Sequence, residues 1–178
     1  MAETLVLGTA AGNTQTAPSG NGTNYKYDAK GGNDVVKGST GNDLIIGGAG
    51  SDYLFGGAGA DTFEFSKFAN AGDHDYIVDF NNALGDTLRV FNGATIVGAT
   101  AEKLAIATMN GQSLANDANV YDLTLTLQVT DGAKSFQYEV TLMDVIKNTT
   151  WSADQFEAYL STLGYNGGIT FAGEPTAV

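Results

Sequence analysis

The chain has 178 residues, a formal net charge of −12, no cysteine and a hydrophobic content of 43%. This length and hydrophobic content predict one domain with a packed core. The shortage of Lys and Arg argues against a nucleic-acid partner, because a protein needs these cations to replace the counterions of a polyanion. The absence of cysteine excludes disulfides and thiolate chemistry. No stretch approaches the roughly 20 apolar residues of a membrane span.

Residues 1–28 contain one apolar run, Thr4 to Leu7, followed by small and polar residues. Tyr25 and Tyr27 alternate with polar neighbours, which favours the start of another strand. The beginning of the sequence has neither the positive n-region nor the long apolar h-region of a secretory signal peptide. We therefore predict a short N-terminal strand and a connector over 1–28, without a signal peptide.

From residue 29 the sequence divides into four nonapeptides, AKGGNDVVK, GSTGNDLII, GGAGSDYLF and GGAGADTFE. An aspartate recurs at one phase, with glycine two positions before it and an apolar residue two positions after it. The third and fourth segments match G-G-x-G-x-D-x-U-x, in which U is a large apolar residue. The first two depart from that pattern at Ala29, Lys30 and Ser39.

The nonapeptide pattern has a physical explanation at each position. Glycine permits a tight turn in the first half of a segment, and the second half is long enough for a very short strand. One inward apolar residue per segment suits a narrow parallel β-roll with two strands per turn. Loops one turn apart then stack, and their aspartates repel each other unless a cation lies between them. Hard oxygen ligands in a flexible loop favour Ca²⁺. A linker or a metal-free acidic surface would not require this fixed phase.

These segments resemble the RTX (repeats-in-toxin) nonapeptides of calcium-binding proteins secreted by Gram-negative bacteria. A weaker resemblance continues through GADTFEF, HDYIVDF and GDTLRV as far as residue 90. This order is similar to the C-terminal modules of serralysin-type proteases and to the R-modules of alginate epimerases. The resemblance implies an all-β fold with a calcium-loaded β-roll over residues 29–65.

The resemblance also implies which residues bind at least two Ca²⁺ ions, since backbone carbonyls and one aspartate from each of two stacked loops supply the family's ligands. The first site would comprise Lys30, Gly32, Asp34, Gly47, Ala49 and Asp52. The second would comprise Ser39, Gly41, Asp43, Gly56, Ala58 and Asp61. A third, open site would begin with Gly48, Gly50 and Asp52, and it would be closed by Asp75 or alternatively by Asp73 or Asp79.

After the repeats, the range 66–150 predicts an antiparallel sheet or sandwich that caps the roll. Its clearest signal is a hairpin, in which Leu123 to Val129 and Phe136 to Leu142 alternate around the turn Asp131-Gly132. Each run has one apolar and one polar face, which predicts packing on one side only. Shorter strands are expected at 76–78 and 88–91, separated by a turn.

The range 151–178 predicts one short amphipathic helix and a tail. Ser152 and Gln155 fit a capping box in front of Phe156, and Gly164 is a stop signal at the helix end. Further glycines and a proline follow in the tail. The resemblance implies that this region carries the C-terminal signal of a type I secretion system.

Catalytic motifs are missing from the sequence. His74 is the only histidine, which excludes the H-E-x-x-H metalloprotease motif, and G-x-S-x-G does not occur. A lone histidine between Asp73 and Asp75 is typical of a surface turn. Pairs of carboxylates remain open as glycosidase candidates, but calcium binding and solvation account for most acids. We therefore expect no enzyme activity.

The function predicted from these features is that of a secreted calcium-binding module. It would be exported unfolded, fold on Ca²⁺ outside a Gram-negative cell, and attach without catalysis to extracellular polysaccharide or to the cell envelope. Two alternatives remain open. The chain could be the accessory and secretion module of a larger secreted protease or epimerase, or folding and export could be its whole role.

Overall fold

The computed structural model describes residues 4–17, 22–65, 70–90, 93–102, 108–109, 112–113, 121–146, 153–165, 167 and 170–171. These residues form strands of 2 to 13 residues, one α-helix and one 3₁₀ helix (Asn82–Leu84). The elements are β1 (Thr4–Leu7), β2 (Thr14–Thr16), β3 (Tyr25–Asp28), β4 (Val35–Lys37), β5 (Leu44–Ile46), β6 (Tyr53–Phe55), β7 (Thr62–Phe65), β8 (His74–Ile77), β9 (Thr87–Val90), β10 (Ala94–Glu102), β11 (Thr108–Met109), β12 (Gln112–Ser113), β13 (Tyr121–Asp131), β14 (Lys134–Ile146), α1 (Ala153–Thr162) and β15 (Thr170–Phe171). The predicted class, mostly β with a parallel roll, an antiparallel sheet and one short helix, is confirmed.

Successive strands of the roll alternate between two parallel sheets. One sheet has the order β1-β3-β5-β7-β9, and the other contains β2-β4-β6-β8. Within the repeats the register is one nonapeptide pair, so that Tyr27 lies beside Ile45 and Ile45 lies beside Phe63. These three side chains are fully buried. The apolar residue of each segment therefore points into the roll, as the pattern predicts.

The roll extends beyond 29–65 at both ends. β1 pairs in parallel with β3, and β2 pairs in parallel with β4, so the predicted connector contributes a strand of its own. At the other end β8 continues the sheet of β6, and β9 continues the sheet of β7. Parallel pairing therefore continues on both sides of the repeat segment 29–65. The strands keep the register of the roll, but the loops between them vary in length. The nonapeptide pattern is recognised mainly by its loop residues, so it is lost where the loop length changes.

The antiparallel cap is an extension of one roll sheet. β14 pairs in parallel with β8, and then antiparallel with β13, which pairs antiparallel with β10. The predicted hairpin is confirmed, since Leu125 lies opposite Val140 and Gly132 adopts a φ of +62° in the turn. Strand β10 ends at Glu102, residues 103–107 lie outside the described residues, and β11 follows at Thr108–Met109.

The hairpin packs on one side near its turn, as predicted, where Gln137 and Glu139 on the polar face are exposed, but its other end is buried on both faces. Its apolar face joins the main core through residues such as Leu123 and Leu127. On the other face Thr124 and Thr141 are also buried, and their hydroxyls are 2.7 Å apart. Met143 lies on this second face in a cluster with Val35, Tyr53 and Tyr76. Two threonine hydroxyls can form a hydrogen bond with each other, so threonines at the polar positions of a strand do not show that this face is exposed to solvent.

The helix α1 closes the C-terminal end of the roll. Leu160 is fully buried, and the hydroxyl of Tyr159 accepts a 2.6 Å hydrogen bond from the backbone N–H of Leu88 in β9. Gly164 follows with a φ of +90°, as predicted for a stop signal. The predicted cap residue Ser152 lies outside the described residues. No helix in the described part of the chain is long and apolar enough to cross a membrane.

Candidate metal centre

Each repeat aspartate lies at the end of a loop, directly before a strand, and is almost completely buried. Asp34 and Asp52 have no exposed surface, and Asp43 and Asp61 expose 2% and 1% of theirs. Burying a carboxylate is expensive unless its charge is compensated. The stacking of the turns places these residues on opposite edges of the roll. We call Asp34, Asp52 and Asp75 the first column and Asp43, Asp61 and Asp86 the second column.

One carboxylate oxygen of every member of the two columns is used for stacking the turns. In the first column Oδ1 of Asp52 accepts from the backbone N–H of Asp34 at 2.8 Å. In the second, Oδ1 of Asp61 accepts from the N–H of Asp43 at 2.8 Å. The same bond joins Asp75 to Asp52 and Asp86 to Asp61, at 3.0 Å and 2.9 Å. Each column is therefore a ladder of carboxylates that locks one turn to the next.

The second carboxylate oxygen of three of these aspartates has no partner. Oδ2 of Asp34, of Asp52 and of Asp61 is buried without a hydrogen bond. Burial raises the pKa of Asp34 to about 6 and the pKa values of Asp52 and Asp61 to about 7. Burial also raises the pKa values of Asp75 and Asp86. An unpaired buried carboxylate oxygen needs either a proton or a cation, and several stacked in one column create a strong demand for positive charge.

The stacked loops of the first predicted site are so close that glycines of the later loop lie against the predicted carbonyl ligands of the earlier loop. A Cβ at Gly50 would lie 2.3 Å from the carbonyl oxygen of Gly32, and one at Gly48 would lie 2.4 Å from that of Lys30. Lys30 takes the place of a glycine at a φ of +78°. A Cβ at Gly47 would lie 2.5 Å from Oδ2 of Asp52. The structure thus brings together most of the predicted first site, and Ala49 lies on the same contact through its N–H bond to the Lys30 carbonyl.

In the second predicted site, the later loop has the same geometry as the later loop of the first site, but the earlier loop differs. A Cβ at Gly56 would lie 2.4 Å from Oδ2 of Asp61, and the N–H of Ala58 donates to the Ser39 carbonyl at 3.1 Å. In the earlier loop, however, the N–H of Ser39 donates to Oδ2 of Asp43 at 2.6 Å. Gly41 donates to the Ser39 hydroxyl at 2.9 Å. This loop satisfies its own carboxylate, so a cation here competes with internal hydrogen bonds.

The third predicted site is closed in register by Asp75, which occupies the next position of the first column. Asp73 also reaches this loop, because its Oδ2 accepts from the N–H of Gly50 at 2.8 Å. Asp79 lies elsewhere. Its two oxygens accept from the N–H groups of Gly56 and Gly57, beside the second column. Asp75 and Asp73 are therefore the acids beside Gly50 and Asp52, and Asp79 is not.

Sequence reasoning missed two features of the columns. Asp86 is the last member of the second column, and in GDTLRV it precedes Leu88 by two positions, as each nonapeptide aspartate precedes its apolar residue. The second feature is an amide ladder, in which Oδ1 of Asn33 accepts from Ser51 N–H and Oδ1 of Asn42 accepts from Ala60 N–H, both at 3.0 Å. The signal was the asparagine that precedes aspartate in the first two segments.

The donor set fits Ca²⁺. It consists of carboxylate and carbonyl oxygens, which hard cations prefer, and it includes buried oxygens that lack a partner. In the described part of the chain, no three His, Asp or Glu side chains converge on a point that would hold a metal ion. Backbone carbonyls must therefore supply part of any coordination shell. This requirement agrees with the predicted carbonyl ligands.

His74 lies in strand β8 and not in the predicted surface turn. Its ring is half-buried and stacks on Tyr76 with 4.3 Å between ring centres. Its Nε2 lies 2.7 Å from the hydroxyl of Thr141, and its Nδ1 lies 3.4 Å from the Glu139 carboxylate. Burial lowers the pKa of His74. Because the Thr141 side chain is fully buried, these contacts join β8 to β14 on the second face of the sheet.

Comparison with known proteins identifies the repeats. The model of the RTX calcium-binding nonapeptide repeat matches residues 28–63 in four copies. No curated protein matches the chain. Among solved structures, the chain is similar to the AlgE6R2 subunit of the Azotobacter vinelandii mannuronan C5-epimerase, with 23% identity and a TM-score of 0.47 over 99% of this chain and 96% of that one. The repeats predicted from the motifs are confirmed: residues 28–63 match the RTX calcium-binding nonapeptide repeat.

Proposed function

We propose that this protein is a non-catalytic module whose roll folds when Ca²⁺ binds between its stacked loops, and that this occurs outside the cell. The observation that carries the proposal is the set of three buried carboxylate oxygens without partners, on Asp34, Asp52 and Asp61. Without a cation, folding must bury charge or take up protons at these positions. With a cation, the same oxygens become ligands. Calcium concentration would therefore decide whether the roll is folded.

The energetic scale is sufficient for such a switch. An ion that binds only the folded state stabilises it by about 2.7 kcal/mol when its free concentration is a hundred times its Kd. Two or three such sites would contribute as much as the whole stability of many domains, which is about 5–15 kcal/mol. Cytosolic calcium is far too low to saturate sites of extracellular affinity. The proposal thus accounts for an unfolded form during export and a folded form afterwards.

The direct test is a titration of the calcium-free chain, followed by far-UV circular dichroism and isothermal calorimetry. We expect β-sheet signal to appear cooperatively with Ca²⁺, and Mg²⁺ at equal concentration to be much less effective, because Mg²⁺ requires a stricter geometry. The Asp154→Asn variant serves as a matched control, since Asp154 is an exposed acid on α1. A spectrum that stays the same in excess EGTA and in calcium would refute the switch.

The extracellular partner belongs to the same proposal. We propose attachment to polysaccharide or to the cell envelope after type I export; the support is the acidic composition and the RTX repeats. A glycan array probed with and without Ca²⁺ tests the attachment, and binding that survives chelation would count against a calcium-organised surface. Co-expression with a type I exporter tests the route. Deletion of 151–178 should then retain the protein inside the cell.

A further inference from the structure

The N-terminal end of the roll presents an open sheet edge. β1 is the first strand of its sheet and β2 is the last strand of the other, so in the described part of the chain neither has a neighbour on its outer side. Leu5 and Leu7 on β1 are 56% and 57% exposed. An edge of this kind is a template for pairing with another strand unless charges, proline or a bulge protect it.

The edge strands themselves carry no charged residue, and the charged neighbours of Leu5 and Leu7 on β3 are one cation and one anion, Lys26 and Asp28. From Thr4 to Tyr25 the sequence contains no Asp, Glu, Lys, Arg or His, although the whole chain carries a formal net charge of −12. Two copies of such an acidic protein repel each other over most of their surfaces. The first turn of the roll is the region where a second copy can approach at the lowest electrostatic cost.

At the C-terminal end of the roll, by contrast, the helix α1 covers the last strand. Strand β9 is the last strand of the sheet that begins with β1, and its Leu88 N–H donates to the hydroxyl of Tyr159 on α1. The chain thus covers one end of the roll with its own helix. The difference between the ends indicates that the N-terminal edge is available for a partner.

The edge is complementary to itself. Thr4 and Gly8 donate their N–H groups to β3, so by the alternation of a strand the N–H and C=O groups of Leu5 and Leu7 face outward. If two β1 strands pair antiparallel with Val6 on a two-fold axis, Leu5 of each copy lies opposite Leu7 of the other. Both positions then form hydrogen-bonded pairs, and the four leucine side chains meet on one face of the sheet.

We propose that the N-terminal edge of the roll is a homodimer interface, in which β1 pairs antiparallel with β1 of a second copy about a two-fold axis at Val6. This pairing continues one roll sheet across the dimer and covers the exposed leucines. An isologous contact of this kind closes after two copies, so it produces a dimer and not a fibre. The proposal is independent of the partner named under the proposed function.

Sedimentation velocity of the full chain in calcium, from micromolar to near-millimolar concentration, tests the dimer. We expect a reversible monomer–dimer equilibrium that the double variant Leu5→Lys/Leu7→Lys shifts to monomer, because four like charges would meet. The matched control is Leu84→Lys/Val97→Lys, which replaces the other two exposed large apolar residues of the described chain. The control should remain dimeric, and circular dichroism should show both variants folded. A wild-type monomer at every concentration, or equal dissociation of both variants, would overturn the proposal.

Cross-linking tests the register separately. The chain has no cysteine, so Val6→Cys introduces a single thiol on the proposed axis. Directly opposed residues in an antiparallel pair have Cβ atoms about 4.5–5.5 Å apart, within reach of a disulfide after slight adjustment. We expect mild oxidation to give a disulfide dimer of Val6→Cys and none of Val97→Cys. If both variants cross-link to the same extent, the pairing at Val6 is wrong.

Discussion

The roll and the hairpin cap share one continuous sheet, yet they are stabilised in different ways. In the cap, β13 and β14 pair along most of their length, and each buries alternate leucines and valines against the core. In the roll, strands of three or four residues alternate with loops that bury aspartates. The hairpin contributes apolar side chains to the shared core and carries no acid column, whereas the carboxylates of the roll would be compensated by the proposed cation. Two neighbouring regions can therefore belong to one sheet and still depend on different conditions.

Removal of calcium should separate the two regions most strongly. In EGTA we expect the amides of β4 to β7 to lose their protection from hydrogen exchange, because nothing then offsets the buried Asp52 and Asp61 carboxylates. The amides of β13 and β14 should stay protected longer, since their ladder contains no acid column. Hydrogen-exchange mass spectrometry with and without calcium measures both. Simultaneous and equal loss of protection would show that the two regions unfold as one unit.

Substitution of one column residue should reproduce part of that effect. Asp52 belongs to the first predicted site and also to the third, so Asp52→Asn should weaken two ions, and Asp34→Asn only one. At calcium concentrations a hundredfold above Kd, each lost site costs about 2.7 kcal/mol of folding free energy. Urea unfolding in calcium should show this ranking. Asp154→Asn removes only a first-turn acid of α1 and should lower the unfolding midpoint slightly, and equally in calcium and in EGTA. Equal losses for Asp34→Asn and Asp52→Asn would contradict a shared role of Asp52.

The repeat segment was predictable because its spacing is constant. Asp34 and Asp52 are joined across 18 residues, and so are Asp43 and Asp61. The ends of the columns were harder to recognise, because the same bond spans 23 residues at Asp75 and 25 at Asp86. Insertions in surface loops cost little, whereas strand register is fixed by the buried face. A search for a constant sequence period therefore detects the central turns of a roll but not its terminal turns.

Other features depended on three-dimensional contacts that no pattern contains. At the N-terminal end, Oδ1 of Asp34 accepts from the N–H of Asn13 across 21 residues, so the loop before β2 stacks like a repeat although it has no aspartate. The burial of Thr141 on the second face of the hairpin depends on packing against β8, which lies 67 residues away at His74. Polar alternation predicted the strand correctly, but not what covers its polar side.

Truncation of one core leucine in each region provides a quantitative comparison. Leu54 in β6 and Leu127 in β13 are both fully buried, so replacement by alanine should cost each about 2–5 kcal/mol in calcium. In EGTA we expect Leu127→Ala to remain destabilising, because the cap still folds. Leu54→Ala should then have little effect, since its surroundings are already unfolded. Unfolding by urea, followed through residue-specific probes, tests whether this difference exists.

Glycine substitutions should distinguish the tight loop contacts of the roll from the open turn of the cap. Gly59 has a φ of +126°, and an added Cβ would lie 2.3 Å from the Gly41 carbonyl oxygen. Gly132 has a φ of +62°, and an added Cβ there would meet nothing within 4 Å. Gly132→Ala should therefore cost about 1 kcal/mol from backbone strain alone. Gly59→Ala should cost more and should also weaken calcium binding, which Gly132→Ala should not. Equal calcium midpoints for the two variants would mean that the loop tolerates expansion.

The smallest expected effect concerns Lys30, the one described non-glycine residue with positive φ. Its side chain pairs with Asp28 at 2.5 Å and is half-exposed, so the ion pair itself contributes little stability. Lys30→Gly removes both the left-handed strain, about 1 kcal/mol, and a positive charge beside the first site. Lys30→Gln removes the charge alone. If strain dominates, calorimetry should show tighter calcium binding for Lys30→Gly but not for Lys30→Gln. If charge dominates, both variants should bind more tightly, and the difference should shrink at high ionic strength.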